Sequence, residues 1–161
     1  MKFWKKKKSS VSVAGILLEK SGQDAIIEID NLLSGIFYEN PNALSPEEKD
    51  VVLIEELERG IHNGGFHQYF FNSSGGYYAD TVQALERIKS VQFLGILKNA
   101  GAPFPNSLVP DDLNERQNVL ETIEEDAEEL WGRLEQEFYR YEEIIYELLI
   151  SYIKDHSEQF R

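Results

Sequence analysis

Apolar residues recur at helical spacing along most of the chain, and no stretch shows the strict alternation of a half-buried strand. Between Asp24 and Tyr38 the positions Ile26, Ile27, Ile29, Leu32, Leu33, Ile36 and Phe37 fall on one side of a helix. Asn40-Pro41-Asn42 stops it. The clearest start signal follows. Ser45 can cap, Pro46 suits the first helical position, and Glu48, three residues after the serine, completes a capping box. Val51, Val52, Ile54, Leu57 and Ile61 carry the buried stripe until Asn63-Gly64-Gly65 interrupts it.

Two further helices are predicted at about 65–72 and 77–100, the second restarting at Ser90. Gly101 and Pro103 end that run. Asp112 and Glu115 resemble a capping pair opening the last helical segment. There Leu120, Ile123, Ala127, Leu130, Leu134, Phe138, Tyr141, Ile145, Leu148 and Tyr152 follow at spacings of three or four. Residues 9–20 have no clear period and are expected to form a loose arm or a short strand-like lead-in. The pattern therefore predicts an all-α protein. A compact domain of six to seven helices spans residues 21–161, after a basic tip and loose arm at 1–20.

The 161 residues are 42% apolar and 12% aromatic, enough to bury a proper core. Lys and Arg number 16 against 29 Asp and Glu, for a net charge of −13. The charge is uneven: +5 over residues 1–8, −7 over 9–110 and −11 over 111–161. Such a surface repels phosphate over most of its area, which argues against direct binding of nucleic acid or an anionic membrane. Phe3 and Trp4 beside Lys5–Lys8 have the chemistry to touch such a membrane. A solvated terminus is the expected role instead. The apolar run Val11–Leu18 is short, is broken by Ser12 and Gly15, and meets Glu19-Lys20 with no small-residue cleavage site. No signal peptide is expected from it, and a cytoplasmic protein is.

Catalytic signals are few. With no cysteine, disulfide scaffolds, thiol catalysis, thiolate zinc sites and iron–sulfur clusters drop out. His62 and His67 lie five apart across the Gly-Gly break, without zincin spacing, so structural or exposed roles are expected and no metal is. Ser73-Ser74-Gly75-Gly76 lacks the Gly-Lys ending of a phosphate loop, and no Gly-x-Ser-x-Gly elbow occurs. The sequence thus nominates no catalytic residue and no cofactor.

The densest unusual segment runs from Asn63 to Tyr78, with six aromatics between Phe66 and Tyr78. On a helix over 64–72, Gly64, Gln68 and Asn72 would stack on one face while Phe66, Tyr69 and Phe70 turn inward. The amides of Gln68 and Asn72 suit a polar structural hub in the core, with a ligand pocket as the alternative. The run Asn63-Gly-Gly-Phe-His-Gln-Tyr-Phe-Phe-Asn-Ser-Ser-Gly75, followed by the Ala84-Leu85 helix, resembles the signature of a bacterial family of all-helical domains of unknown function. The C-terminal stretches Leu134–Tyr139, Leu148-Leu149, Ser151–Ile153 and Glu158–Phe160 are similar to its pattern too. The resemblance covers roughly residues 22–160.

That family includes a DNA-mimic protein, an acidic helical dimer that occupies the DNA-binding surface of a transcription factor. The resemblance implies a non-enzymatic acidic domain, admits a homodimer, and gives Gly64, Gly65, Gln68 and Asn72 an architectural role. It also implies a helix break near Tyr139–Glu142. A mimic needs carboxylates at phosphate-like spacing, and helix neighbours at i, i+4 stand about 6 Å apart at Cβ. Glu121, Glu125, Glu128, Glu135 and Glu142 read as a stripe opposite the apolar face, and Glu124, Asp126 and Glu129 broaden it. The expected interaction surface is Glu121, Glu124, Glu125, Glu128, Glu129 and Glu135, facing a basic protein such as a DNA-binding protein. Three other readings fit the same residues: a solvated face that serves solubility, an immunity or antitoxin-like protein that neutralises a basic toxin, and a small-molecule binder or enzyme using Gly64–Asn72.

Overall fold

The capping box at Ser45 is formed. The Ser45 hydroxyl accepts from the Glu48 N–H at 3.0 Å, and the Glu48 carboxylate accepts from the Ser45 N–H at 3.0 Å. A computed structural model of the protein describes residues 11–161; the basic tip at residues 1–8 lies outside them. Six α-helices follow in order: α1 (Val13–Glu19), α2 (Gly22–Glu39), α3 (Pro46–Phe71), α4 (Tyr78–Arg87), α5 (Val91–Gly101) and α6 (Leu113–Asp155). Short 3-10 turns lie at Pro41–Ala43, Ser73–Tyr77, Pro105–Ser107 and Ser157–Gln159. There is no strand among the described residues, and the fold is all-α around one hydrophobic core.

The segment expected to be a loose or strand-like arm is α1 over Val13–Glu19. Ser12 caps it by accepting from the Gly15 N–H at 3.1 Å, and Val13 and Ile16 are buried in the core. Seven residues are too few to show a clear period, so packing rather than pattern makes the helix.

The centre of the fold is α3. Residues 50–55 are all buried, as expected of a helix enclosed on every side. It packs against α2, α4 and α6, while α5 fills the space between α4 and α6. At Gly64 and Gly65 its backbone leaves helical geometry, and Gly65 takes the left-handed φ of 75° that glycine tolerates. The Asn63-Gly64-Gly65 interruption read from the sequence is therefore a kink. The kink breaks the regular main-chain ladder, and α6 supplies partners at the break. The Tyr139 hydroxyl donates to the Ile61 carbonyl at 3.1 Å, and the Glu135 carboxylate accepts from the Phe66 N–H at 2.8 Å. Glu135 comes so close that a Cβ on Gly65 would fall 2.1 Å from its Oε1.

The C-terminus of α3 is also held from α6. Arg116 is wholly buried and donates to the carbonyls of Phe70 (2.7 Å), Asn72 (2.8 Å), Pro110 (2.8 Å) and Asp111 (2.9 Å). Gln117 donates to the Phe71 carbonyl at 2.9 Å. Gly75 leaves room for the guanidinium, since a Cβ there would stand 2.8 Å from Nε and 2.9 Å from the Phe70 backbone. Phe70 anchors the aromatic core at this point, with ring centroids 4.9 Å from Phe104 and 5.7 Å from Trp131. The Trp131 indole donates to the Ala100 carbonyl at 2.9 Å and so closes the end of α5.

α6 runs unbroken over 43 residues, about 65 Å at 1.5 Å per residue. The break implied near Tyr139–Glu142 does not occur. Phe138 and Ile145 stay buried on either side of that stretch, so its inner face packs continuously.

Replacing Arg116 with methionine keeps similar bulk and leaves four carbonyls without their donor. The Arg116→Met protein is expected to lose at least about 3 kcal/mol in urea unfolding, given roughly 1–3 kcal/mol per orphaned buried polar group. A loss under about 1 kcal/mol would show that the guanidinium is dispensable.

Candidate interaction surface

Between Asp111 and Glu129 the chain has nine carboxylates and one basic residue, Arg116. All nine are exposed, and Arg116 is buried. The stretch from Asp111 to Glu129, the turn before α6 and its first turns, therefore presents negative charge with no exposed cation of its own. Burial pushes the Arg116 guanidinium below its ordinary range, and Tyr69, Asp111 and Asp112 oppose that shift. The nearest exposed base along the helix is Arg133, 3.9 Å from Glu129 in a pair that is mostly solvated and so worth little.

The six acidic residues predicted as a surface divide into two sets. Glu121, Glu125, Glu128 and Glu129 are exposed on α6. Glu124 is exposed too but meets the His67 imidazole at 2.8 Å, and Glu135 is half-buried against the kink of α3. Helical phase explains the division. At about 100° per residue, Glu124, Glu135 and Glu142 stand roughly 60–80° from buried Ala127, on the shoulder facing α3. The stripe thus drifts towards the core side, as positions seven apart do on a straight helix, and Glu135 and Glu142 are not opposite the apolar face.

Glu124, Glu125, Glu128 and Glu135 line an open groove of about 680 Å³ with Gly64, His67 and Trp131. The remaining signature amides lie elsewhere. Gln68 Nε2 donates to Asn72 Oδ1 at 2.9 Å near the surface, and neither residue lines the groove. The expected polar hub in the core is instead Arg116, while Phe66, Tyr69 and Phe70 fill the interior. Gly64 and Gln68 are in close contact, because a Cβ on Gly64 would stand 2.8 Å from the Gln68 Cβ. Of the Gly64–Asn72 segment, Gly64 and His67 reach this groove.

A second group of carboxylates, of which the sequence singled out only Glu48 as a capping residue, is buried: Glu48, Asp50, Glu55 and Glu58 of α3 and Asp30 of α2. Three have cationic partners: Glu48 with Arg161 at 2.8 Å, Asp50 with Arg87 at 2.5 Å, and Asp30 with Arg59 at 2.8 Å. The other two, Glu55 and Glu58, have no Lys or Arg partner among the described residues. Burial and the Glu58 charge push the Glu55 carboxyl up to about 9, and burial raises Glu58 to about 7. Burial likewise lifts Asp30 to about 6, with Arg59 opposing. Helical phase carries the missed signal: Asp50, Glu58 and Ile61 fall within one buried face. His62, one turn beyond Glu58, meets Glu142 of α6 at 2.5 Å and Glu58 at 3.8 Å.

A kinked central helix held at both ends by a long acidic helix defines an all-helical domain that has one strongly anionic face. The family model described as DMP19-like protein matches residues 42–156, from the turn before α3 to the end of α6, and the chain belongs to that family. No curated protein and no solved structure matches it. No helix among the described residues is long and apolar enough to cross a membrane.

The two sets of acids should behave differently in stability measurements. Glu135→Ala removes the cap on the Phe66 N–H and is expected to cost about 1–2 kcal/mol in urea unfolding. Glu121→Gln, Glu125→Gln and Glu128→Gln relieve like-charge repulsion and should each leave stability unchanged or raise it by a few tenths of a kcal/mol. Equal costs in the two sets would remove the distinction.

Proposed function

We propose that the chain is a non-enzymatic binding protein. The exposed acidic face of α6 engages the basic surface of a DNA-binding protein and takes the place of DNA there. The observation that carries this reading is the uncompensated charge from Asp111 to Glu129, where the one basic side chain is turned inward. Membership of a family that includes a DNA mimic supports it. Carboxylates about 6 Å apart along a helix offer Lys and Arg side chains a spacing comparable to that of a phosphate strand. Acids repelling one another on a helix cost stability, which a face serving stability alone would relieve with lysines. Such a partner works beside the chromosome, so we place the protein in the bacterial cytoplasm.

The test is capture of partners from bacterial extract on the immobilised protein, at low and then raised salt, with mass spectrometry of what is retained. A basic DNA-binding protein is expected, bound at low salt, released as salt rises, and displaced by duplex DNA. The triple reversal Glu121→Lys, Glu125→Lys, Glu128→Lys should weaken binding at least about tenfold, since like charges across an interface cost several kcal/mol. A partner that the reversal leaves bound would contradict the proposal. A basic toxin retained in its place would point to the immunity-like alternative.

A further inference from the structure

We propose that Glu58, His62 and Glu142 form a binding site for a divalent first-row transition-metal ion, bridging α3 and α6 on the side of the kink away from the acidic groove. One ligand atom from each residue can be chosen so that all three lie within 4.8 Å of one another. Glu58 and His62 are one turn apart on the same face of α3, and Glu142 approaches from α6. The site is independent of the acidic-face reading, for none of its three residues lines the acidic groove.

A second observation points to a cation. Among the described residues, Glu58 Oε2, Glu55 Oε1 and Asp30 Oδ1 are buried without a hydrogen-bond partner, and all three residues line the same cavity of about 350 Å³ as His62 and Glu142. Each of these three side chains is more than nine-tenths buried. Three acids with orphaned oxygens around one cavity are costly as carboxylates, and a cation among them offsets that cost. The cationic side chain on that cavity, Arg59, is bound to Asp30 at 2.8 Å. A divalent ion between Glu58, His62 and Glu142 would supply the missing charge.

The donor set narrows the ion. One imidazole nitrogen and two carboxylates suit zinc, manganese, cobalt or ferrous iron better than calcium or magnesium, which favour all-oxygen shells. The supporting contacts of a metal site are present as well. The Tyr146 hydroxyl donates to Glu58 Oε1 and accepts from Gln23 Nε2 at 3.1 Å, which fixes the orientation of that carboxylate. His62 and Glu142 are partly open to solvent and give the ion a way in. Three protein ligands would leave a position for water or an exogenous group.

The test uses the full chain, stripped with chelator and dialysed, then titrated with zinc, manganese and cobalt by calorimetry, with visible absorption recorded for cobalt. One equivalent should bind, with cobalt bands of a nitrogen- and oxygen-ligated ion and a raised melting temperature. His62→Ala and Glu142→Gln should each weaken binding at least about tenfold and abolish the bands. Both side chains are partly exposed, so these variants should fold, which circular dichroism checks. His67→Ala and the triple variant Glu121→Gln, Glu125→Gln, Glu128→Gln should bind the metal unchanged, which separates the site from diffuse attraction to an acidic surface. Absence of saturable binding by all three metals would overturn the proposal. So would binding that persists in His62→Ala and Glu142→Gln or is lost in the surface controls.

Discussion

The Arg116 guanidinium lies wholly inside the protein and donates to four main-chain carbonyls, two at the end of α3 and two in the turn before α6. A helix C-terminus carries partial negative charge on its unpaired carbonyls, so a cation there is doubly favoured, by charge and by hydrogen bonding. The short aromatic half of α3 depends on this contact. Six residues between a kink and a turn cannot hold a helix alone. They are held because α6 caps them at both ends, through Glu135 at Phe66 and Arg116 at Phe70 and Asn72. Phe66, Tyr69 and Phe70 then pack inward and complete the core.

The same contact shapes the surface. Turning Arg116 inward removes the one basic side chain from a stretch of nine exposed acids, so the architecture and the anionic face have a common origin. α6 thus does two jobs on different sides. Its inner shoulder, with Glu135, Tyr139 and Glu142, reaches the main chain and side chains of α3, while Glu121, Glu125, Glu128 and Glu129 stay in water. The acids are alike chemically. Helical phase alone sorts them.

Most of the helical layout was legible because it rests on local signals: the Ser45–Glu48 box, the Asp112 cap, the Gly64-Gly65 break and the restart at Ser90. α1 was not legible, since seven residues carry too little period and its helix rests on burial of Val13 and Ile16. Arg116 was within reach, because it sits one turn before Leu120 on the apolar stripe and so had to be buried. Its carbonyl partners Phe70 and Asn72 were not, for they come from the end of α3, whose approach is a tertiary fact. Gln68 and Asn72 were placed correctly on one face, yet that face points outward, which spacing alone does not decide. The pairing of His62 with Glu142, 80 residues apart, likewise exists only in the folded chain.

If Arg116 ties the end of α3 to the start of α6, the two segments must open together. Native-state amide hydrogen exchange, followed in denaturant across residues 66–76 and 110–120, measures this directly. Both segments are expected to exchange with one opening free energy, close to that of global unfolding. Exchange of 66–76 through a low-energy local opening, with 110–120 still protected, would contradict that coupling.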